Sequence, residues 1–284
     1  MSQHTIIEKH IVPAIYEKLR LQEYASQVFE LLNSRSAVKK ALNKERILLN
    51  GKIASTADWI QQGQILELLE ETVKPKKIFQ LSFPVVFEDD FLAVIDKPSG
   101  YPTNGNYFKT IENALPFNLF ASAEKDALAY PLPVHRLDNP TSGLLLIAKT
   151  KSAQAQLSLA FERKEINKTY LAIVEGKFSN EEQVMKDELD GKASETIAKA
   201  IQFYQKDGND FSLVELNPLT GRTHQLRKHL SMHGFPIIGD QTYGAKFFLQ
   251  KAIHLTAYKL LFTHPITADI HALESKLPKR FLKF

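Results

Sequence analysis

The stretch His135-Arg136-Leu137-Asp138-Asn139-Pro140-Thr141-Ser142-Gly143 runs without a break into Leu144-Leu145-Leu146-Ile147-Ala148. Asp, Asn, Pro, Ser and Gly are turn formers, whereas five apolar residues in succession read as a buried strand. The carboxylate of Asp138 is thereby set at the edge of a core where water is scarce, a placement that suits a nucleophile. An ionised carboxylate there is costly unless it is paired and hydrogen-bonded. A second segment, Thr220-Gly221-Arg222-Thr223-His224-Gln225-Leu226-Arg227, supplies the cation, since Arg is always charged and its fork matches a carboxylate.

These two segments resemble the signature motifs of the RluA-type pseudouridine synthases, which convert uridine to pseudouridine within RNA. Further likenesses follow in order: Phe87-Glu88-Asp89-Asp90-Phe91-Leu92-Ala93-Val94-Ile95-Asp96-Lys97-Pro98, Lys168-Thr169-Tyr170-Leu171-Ala172, Ile238-Gly239-Asp240 and residues 254–265. The likeness covers roughly residues 81–284, and ordered motifs are far more specific than a lone His-Arg-Leu-Asp. The resemblance implies an isomerase that breaks the bond from ribose to uracil N1, turns the base over and rejoins the sugar to uracil C5. No atoms are gained or lost, so no redox cofactor, nucleotide or metal is expected. Asp138 is implied as the catalytic nucleophile, attacking either the sugar or the uracil ring. Arg227 is implied as its paired arginine, and Tyr170 as the tyrosine that stacks on the target base and can move the proton from C5. Arg136 is implied as the arginine that fills the space left by the flipped base, at a site that must extrude a nucleotide. Its alternative is a structural ion pair with Asp89 or Asp240; the alternative for Arg227 is a surface phosphate clamp. Arg222 is expected on RNA phosphate or against the loop at 217–221. One departure from the family pattern is Asn139-Pro140, where Pro140 stiffens the turn and removes a backbone donor.

Composition bounds the chain independently. With 284 residues, 44% hydrophobic and 24% charged, it is an ordinary globular protein able to bury a core unaided, and no apolar stretch approaches the ~18 to 20 residues of a spanning helix. Glu8, Lys9 and His10 interrupt any apolar region near the start, so no signal peptide is read there. The absence of cysteine excludes disulfides and thiolate chemistry and fits a cytoplasmic setting. The net charge of +4 divides unevenly into +3 for residues 1–80, −6 for 81–219 and +7 for 220–284. Basic ends are expected where a chain meets a polyanion, although solvated Lys gives the same count.

The periodicity predicts an amphipathic helix over residues 19–32 and a second over 37–43, capped by Ser34 or Ser36. Ile47-Leu48-Leu49, Asn50-Gly51 and Lys52-Ile53 predict a hairpin, and residues 65–69 a further strand. Six basic residues lie between Arg35 and Lys52 against the single acid Glu45, a phosphate-binding composition to which Arg35, Lys39, Lys40 and Lys52 contribute. The order of these elements resembles the α-L RNA-binding domain of the ribosomal protein S-four type. From residue 81 strands dominate, interrupted by helices at 153–163 and 223–233, the latter ending at Gly234. The expected fold is α+β: a mixed, mainly antiparallel catalytic sheet with flanking helices, preceded by a small α-L domain. The expected boundaries are an N-terminal segment at 1–14, the α-L domain at 15–72, a linker at 73–80 and the catalytic domain at 81–284.

His229 and His233 are four apart on the second of those helices, but Lys228 and Leu230 flank the first where a zinc protease needs Glu, so no metal is expected. His135 and His224 are read as braces of the site loops, and Phe247-Phe248 as core. The expectation is a monomeric, cytoplasmic enzyme acting on structured RNA, with large-subunit (23S) ribosomal RNA favoured and no membrane partner. The competing expectations are a catalytically inactive RNA-binding ribosome-assembly factor, a synthase acting on transfer RNA, and a metal-dependent or glycosidic hydrolase.

Overall fold

The computed structural model describes residues 5–15, 17–70, 76–247 and 252–283. The chain divides into two compact units, Met1–Pro75 and Lys76–Phe284.

In the first unit, β1 (Ile6–Ile11) precedes α1 (Leu21–Val28), α2 (Arg35–Asn43), β2 (Ile47–Leu49), β3 (Lys52–Ile53) and β4 (Ile65–Leu69). The four strands form one sheet in the order β1-β4-β2-β3. Leu21, Tyr24 and Ala25 of α1 and Val38, Ala41 and Leu42 of α2 share a core with Ile47, Leu66 and Leu68 of the sheet. The Ser34 side chain accepts from the Ala37 N–H and starts α2. Asn50 and Gly51 have φ of 50° and 74°, the two positive values that a two-residue hairpin turn requires. The first helix is shorter than its periodicity predicts, because the Phe29 backbone is extended while Phe29 and Leu32 still bury their side chains. The boundary expected at residue 15 also moves: β1 pairs along β4 from Ile6↔Leu69 to Ile11↔Ile65 and so belongs to this sheet.

The second unit contains β5 (Val85–Glu88), β6 (Leu92–Lys97), α3 (Ile111–Asn118), β7 (Ala127–Pro133), β8 (Ser142–Thr150), α4 (Lys151–Glu162), β9 (Asn167–Glu175), β10 (Gln183–Leu189), β11 (Lys192–Lys206), β12 (Asn209–Pro218), α5 (Gln225–Met232), β13 (Leu255–Thr263) and β14 (Ile270–Glu274). They build a mixed α+β fold around a ten-stranded sheet, β10-β11-β12-β9-β13-β8-β6-β5, with β14 beside β13 and β7 beside β8. All pairings are antiparallel except β13 with β8.

Every residue of β8 is buried. Leu145 and Ile147 join Ala93 and Ile95 on one face of the sheet, and Leu144 and Leu146 join Leu92 and Val94 on the other. Burial on both faces is why the run is continuously apolar rather than alternating. Residues 76–80 of the expected linker also belong here, since Lys76 pairs with Glu112 at 2.7 Å and Phe79 packs against the core. Residues 73–75 lie outside the described residues, as does Phe248; Phe247 packs its ring 5.0 Å from Phe211.

Only two registers join β13 to β8, Thr256↔Ser142 and Ala257↔Gly143. Beyond them β7 takes the edge of β8, and β14 that of β13. The two strands approach so closely that a Cβ on Gly143, whose φ is +110°, would stand 2.2 Å from the Ala257 carbonyl oxygen. On the other side of β13, Ala257 pairs with Tyr170 of β9. Gly143, Ala257 and Tyr170 thus form one row across three strands, and the turn bearing Asp138 enters that row.

Candidate active site

The Thr141 N–H donates to the Asp138 carbonyl at 3.1 Å, closing the turn from Asp138 to Thr141. Lys97, at the end of β6 and fully buried, anchors this turn from below. Its Nζ donates to the carbonyls of Thr141 at 2.8 Å, Pro98 at 3.1 Å and Asn139 at 3.4 Å. Burial pulls Lys97 down to about 7; the Asp138 charge opposes that drop and Arg280 adds to it. Thr103 holds the preceding residue at both ends, donating to the Leu137 carbonyl at 2.9 Å and accepting from its N–H at 3.1 Å. Upstream, His135 Nε2 accepts from the Leu146 N–H at 3.0 Å, and burial lowers its pKa to about 3. His135 therefore braces the loop as an uncharged acceptor, as its sequence context predicts.

Arg227 comes from α5. Leu226 and Leu230 fix this helix in the core, and buried His229 fixes it to β11 through Ser194 Oγ at 2.7 Å and Thr196 Oγ1 at 3.0 Å. The Arg227 side chain is 6% exposed, which overturns the surface-clamp alternative. Nε and Nη2 donate to the two oxygens of Asp240 at 2.6 and 2.8 Å, while Nη1 reaches Asp138 Oδ2 at 3.5 Å. Burial alone would lower the guanidinium pKa, but hydrogen bonds and charge from Asp240, helped by Asp138 and Tyr243, raise it. Arg227 is therefore held mainly by Asp240 and presents its remaining nitrogen to Asp138. Asp240 is a site residue that the sequence marks only by membership of the Ile238-Gly239-Asp240 motif.

Asp240 is also where the ion-pair alternative for Arg136 fails. Its carboxylate is occupied by Arg227, and Asp89 bonds His264 at 2.9 Å. Arg136 is exposed, lines the cleft and makes no ion pair among the described residues. Arg222 also lines the cleft, with Nε donating to the Ala193 carbonyl at 3.1 Å rather than to the loop at 217–221. Gln225, which sequence reasoning passed over, shapes that loop: its Oε1 accepts from Thr220 Oγ1 at 2.7 Å and the Arg222 N–H at 3.0 Å.

Asp138, Tyr170 and Arg227 all line one cleft of about 790 Å³, together with Arg136, Lys168 and Arg222. Burial, and then the charge of Asp138, push the Tyr170 phenol above its ordinary range. It is therefore a phenol, not a phenolate, at neutral pH, offering a ring face and a donor. His229 and His233, four apart at the C-terminal end of α5, bond Ser194, Thr196 and Asp187.

A carboxylate held at a strand seam beside a buried guanidinium and an aromatic ring, in a cleft bordered by the exposed Arg136 and Arg222, fits an enzyme for a planar base carried on an anionic polymer. Comparison with known proteins gives that class its family. The model of the RNA pseudouridylate synthase family matches residues 91–232, which hold Asp138, Tyr170 and Arg227. Ribosomal large subunit pseudouridine synthase C of Salmonella typhi is 32% identical over 269 residues, 84% of this chain and 81% of that protein. Its namesake in Rickettsia bellii (strain RML369-C) is 30% identical over 295 residues, covering 92% and 95%. Among solved structures, Human RNA Pseudouridylate Synthase Domain Containing 4 is 26% identical with a TM-score of 0.56, covering 70% of this chain and 90% of that one. The chain belongs to the RNA pseudouridine synthase family, of the RluA type, and is an isomerase.

Proposed function

We propose that this enzyme isomerises uridines of large-subunit ribosomal RNA, with Asp138 as the catalytic carboxylate, Arg227 as its clasp and Tyr170 as the surface on which the target base lies. The observation that carries the reading is the convergence of these three side chains, from stretches more than thirty residues apart in sequence, on one cleft. In the reaction the N1–C1′ bond breaks, C5 bonds to C1′, a proton leaves C5 and one is gained at N1. Asp138 serves whether it adds to the sugar or to the uracil ring, because either route needs an ionised carboxylate that is oriented but not fully engaged. A 3.5 Å contact with a guanidinium already committed to Asp240 meets that need. Tyr170, kept as a phenol, stacks on the base and donates a hydrogen bond to it; Arg136, unpaired in the cleft, takes the place of the everted nucleotide.

The reading extends to the Met1–Pro75 unit as an α-L-type RNA-binding domain, followed by the catalytic domain. Supporting this, Arg35, Lys39, Lys40 and Lys52 are all exposed, and Arg35 and Lys39 lie one turn apart on α2. Arg35 additionally pairs with Glu23. Ribosomal RNA is favoured over transfer RNA by the names of the relatives. The same reading has the enzyme act as a monomer in the cytoplasm, a setting that a chain without cysteine fits. Among the described residues no helix is long and apolar enough to cross a membrane.

Asp138→Asn should abolish tritium release from C5-labelled uridine in RNA while RNA binding survives; near-normal release would remove Asp138 from its role. Mapping pseudouridines in all stable RNAs of a deletion strain against its parent tests the substrate. Losses confined to transfer RNA would displace the ribosomal assignment.

A further inference from the structure

We infer that His224 is a positioning residue for this reaction, presenting its Nε2–H to the Asp138 carboxylate oxygen that Arg227 does not hold. The inference rests on the reading of Asp138 as the catalytic carboxylate. His224 directly precedes α5 with φ 56° and ψ 26°, in the left-handed region. Residues other than glycine are uncommon there and gather at functional sites, where the surrounding structure imposes the conformation. That backbone carries the imidazole into the cleft. Its Nε2 lies 3.8 Å from Asp138 Oδ1, while Arg227 Nη1 lies 3.5 Å from Oδ2. Each carboxylate oxygen therefore faces its own nitrogen, and the two nitrogens come from residues three apart at the start of one helix.

The Asp138 carboxylate only accepts, which favours the proton on His224 Nε2, and Nδ1 is complemented by Tyr243. Its hydroxyl is 2.8 Å from His224 Nδ1, and its ring stands edge-on to the imidazole at 85° while lying 4.8 Å from the Arg227 guanidinium. A phenol donating into Nδ1 leaves the proton on Nε2, and an imidazolium carries one there as well. In both states Nε2 offers an N–H to Asp138. At 3.8 and 3.5 Å neither contact is tight, the usual condition of catalytic hydrogen bonds before substrate closes them. Held from both sides, the carboxylate keeps one orientation as the base turns over beside it.

Two variants separate this role from a purely conformational one. His224→Asn suits the left-handed backbone but is too short to reach Asp138; His224→Gln can reach it with an amide N–H but suits that backbone less well. Tritium release by the full-length protein, resolved into kcat and KM, should show kcat falling about ten- to a hundredfold in His224→Asn, with KM and Tm near wild type. His224→Gln should restore most of that loss despite a lower Tm. Tyr243→Phe, which leaves the His224 backbone untouched, should lower kcat several-fold and carries the test if the Asn variant fails to fold. Normal kcat in His224→Asn, or in Tyr243→Phe where the Asn variant fails to fold, or equal impairment of the Asn and Gln variants, would overturn the inference. Asp138→Asn measured alongside distinguishes the two levels: activity in that variant sinks the carboxylate reading itself, whereas an inactive Asp138→Asn with a fully active His224→Asn sinks only the part given to His224.

Discussion

Asp240→Ala isolates the clasp from the carboxylate it serves. The substitution removes both acceptors of a fork that donates at 2.6 and 2.8 Å between side chains 6% and 1% exposed, leaving a buried guanidinium whose remaining ion pair among the described residues is the 3.5 Å contact to Asp138. Removing one member of such a pair costs about 3–5 kcal/mol, because the other charge stays buried. In a unit of this size that corresponds to a fall in Tm of about 6–20 °C. The freed guanidinium has one anion left in reach, so it swings onto Asp138, which offsets part of the loss and draws the carboxylate away from the nucleotide. Stability and kcat therefore fall together. Thermal denaturation and tritium release should be measured for Asp240→Ala, Arg227→Met and the double variant. The double variant, with no uncompensated charge, should be less destabilised than the sum of the two singles by at least about 1 kcal/mol. Additive losses, or a cost below about 1 kcal/mol for Asp240→Ala, would refute a buried, charge-paired clasp.

Gly143→Ala should cost about 4 kcal/mol or more, since its Cβ would meet the Ala257 carbonyl at 2.2 Å in a strained φ; a urea midpoint within error of wild type would mean that the seam is looser than described. Lys97→Met should change how stability depends on pH. In the folded state Lys97 releases its proton near 7 and in the unfolded chain near ~10.4, so the unfolded state binds more protons between these values. The Lys97 contribution therefore grows as pH rises through that window. Urea titrations at several pH values should give a wild-type-minus-variant difference that increases across it, and a flat difference would contradict the assignment. The triple variant Arg35→Ala, Lys39→Ala, Lys40→Ala should flatten the log–log salt dependence of RNA binding by about 2; an unchanged slope would mean that this face of α2 does not meet the phosphates.

What the residues announced in advance follows from how local each signal is. The β2–β3 hairpin is declared by Asn50-Gly51, α2 by its Ser34 cap, and β8 by an apolar run whose cause, burial on both faces, is a property of the strand itself. Asp138, Tyr170 and Arg227, which share one cleft, each sit in a motif of contiguous residues. Asp240 was legible only as the end of a three-residue motif, because its thirteen-residue separation from Arg227 has no periodicity and is spanned by the rest of α5 and the irregular path beyond Gly234. Lys97 reads as the polar end of a strand, and only the fold brings three carbonyls to its Nζ. Two elements were hidden by atypical composition: β1 carries Glu8, Lys9 and His10 on an edge strand, and α3 contains Pro116, which argues against a helix until its place near the helix end is known.

With the role proposed for Asp138, the two-residue seam between β8 and β13 ties catalytic competence to completed assembly. The seat of Asp138 is closed by Lys97 from about forty residues earlier and by Ala257 from more than a hundred residues later, so a partly synthesised or partly unfolded chain has no place in which to hold that carboxylate. Turnover in this enzyme is then a report on the finished molecule: damage to the C-terminal strands, of which β13 borders the cleft through Leu255, should silence the chemistry before it disperses the rest of the sheet.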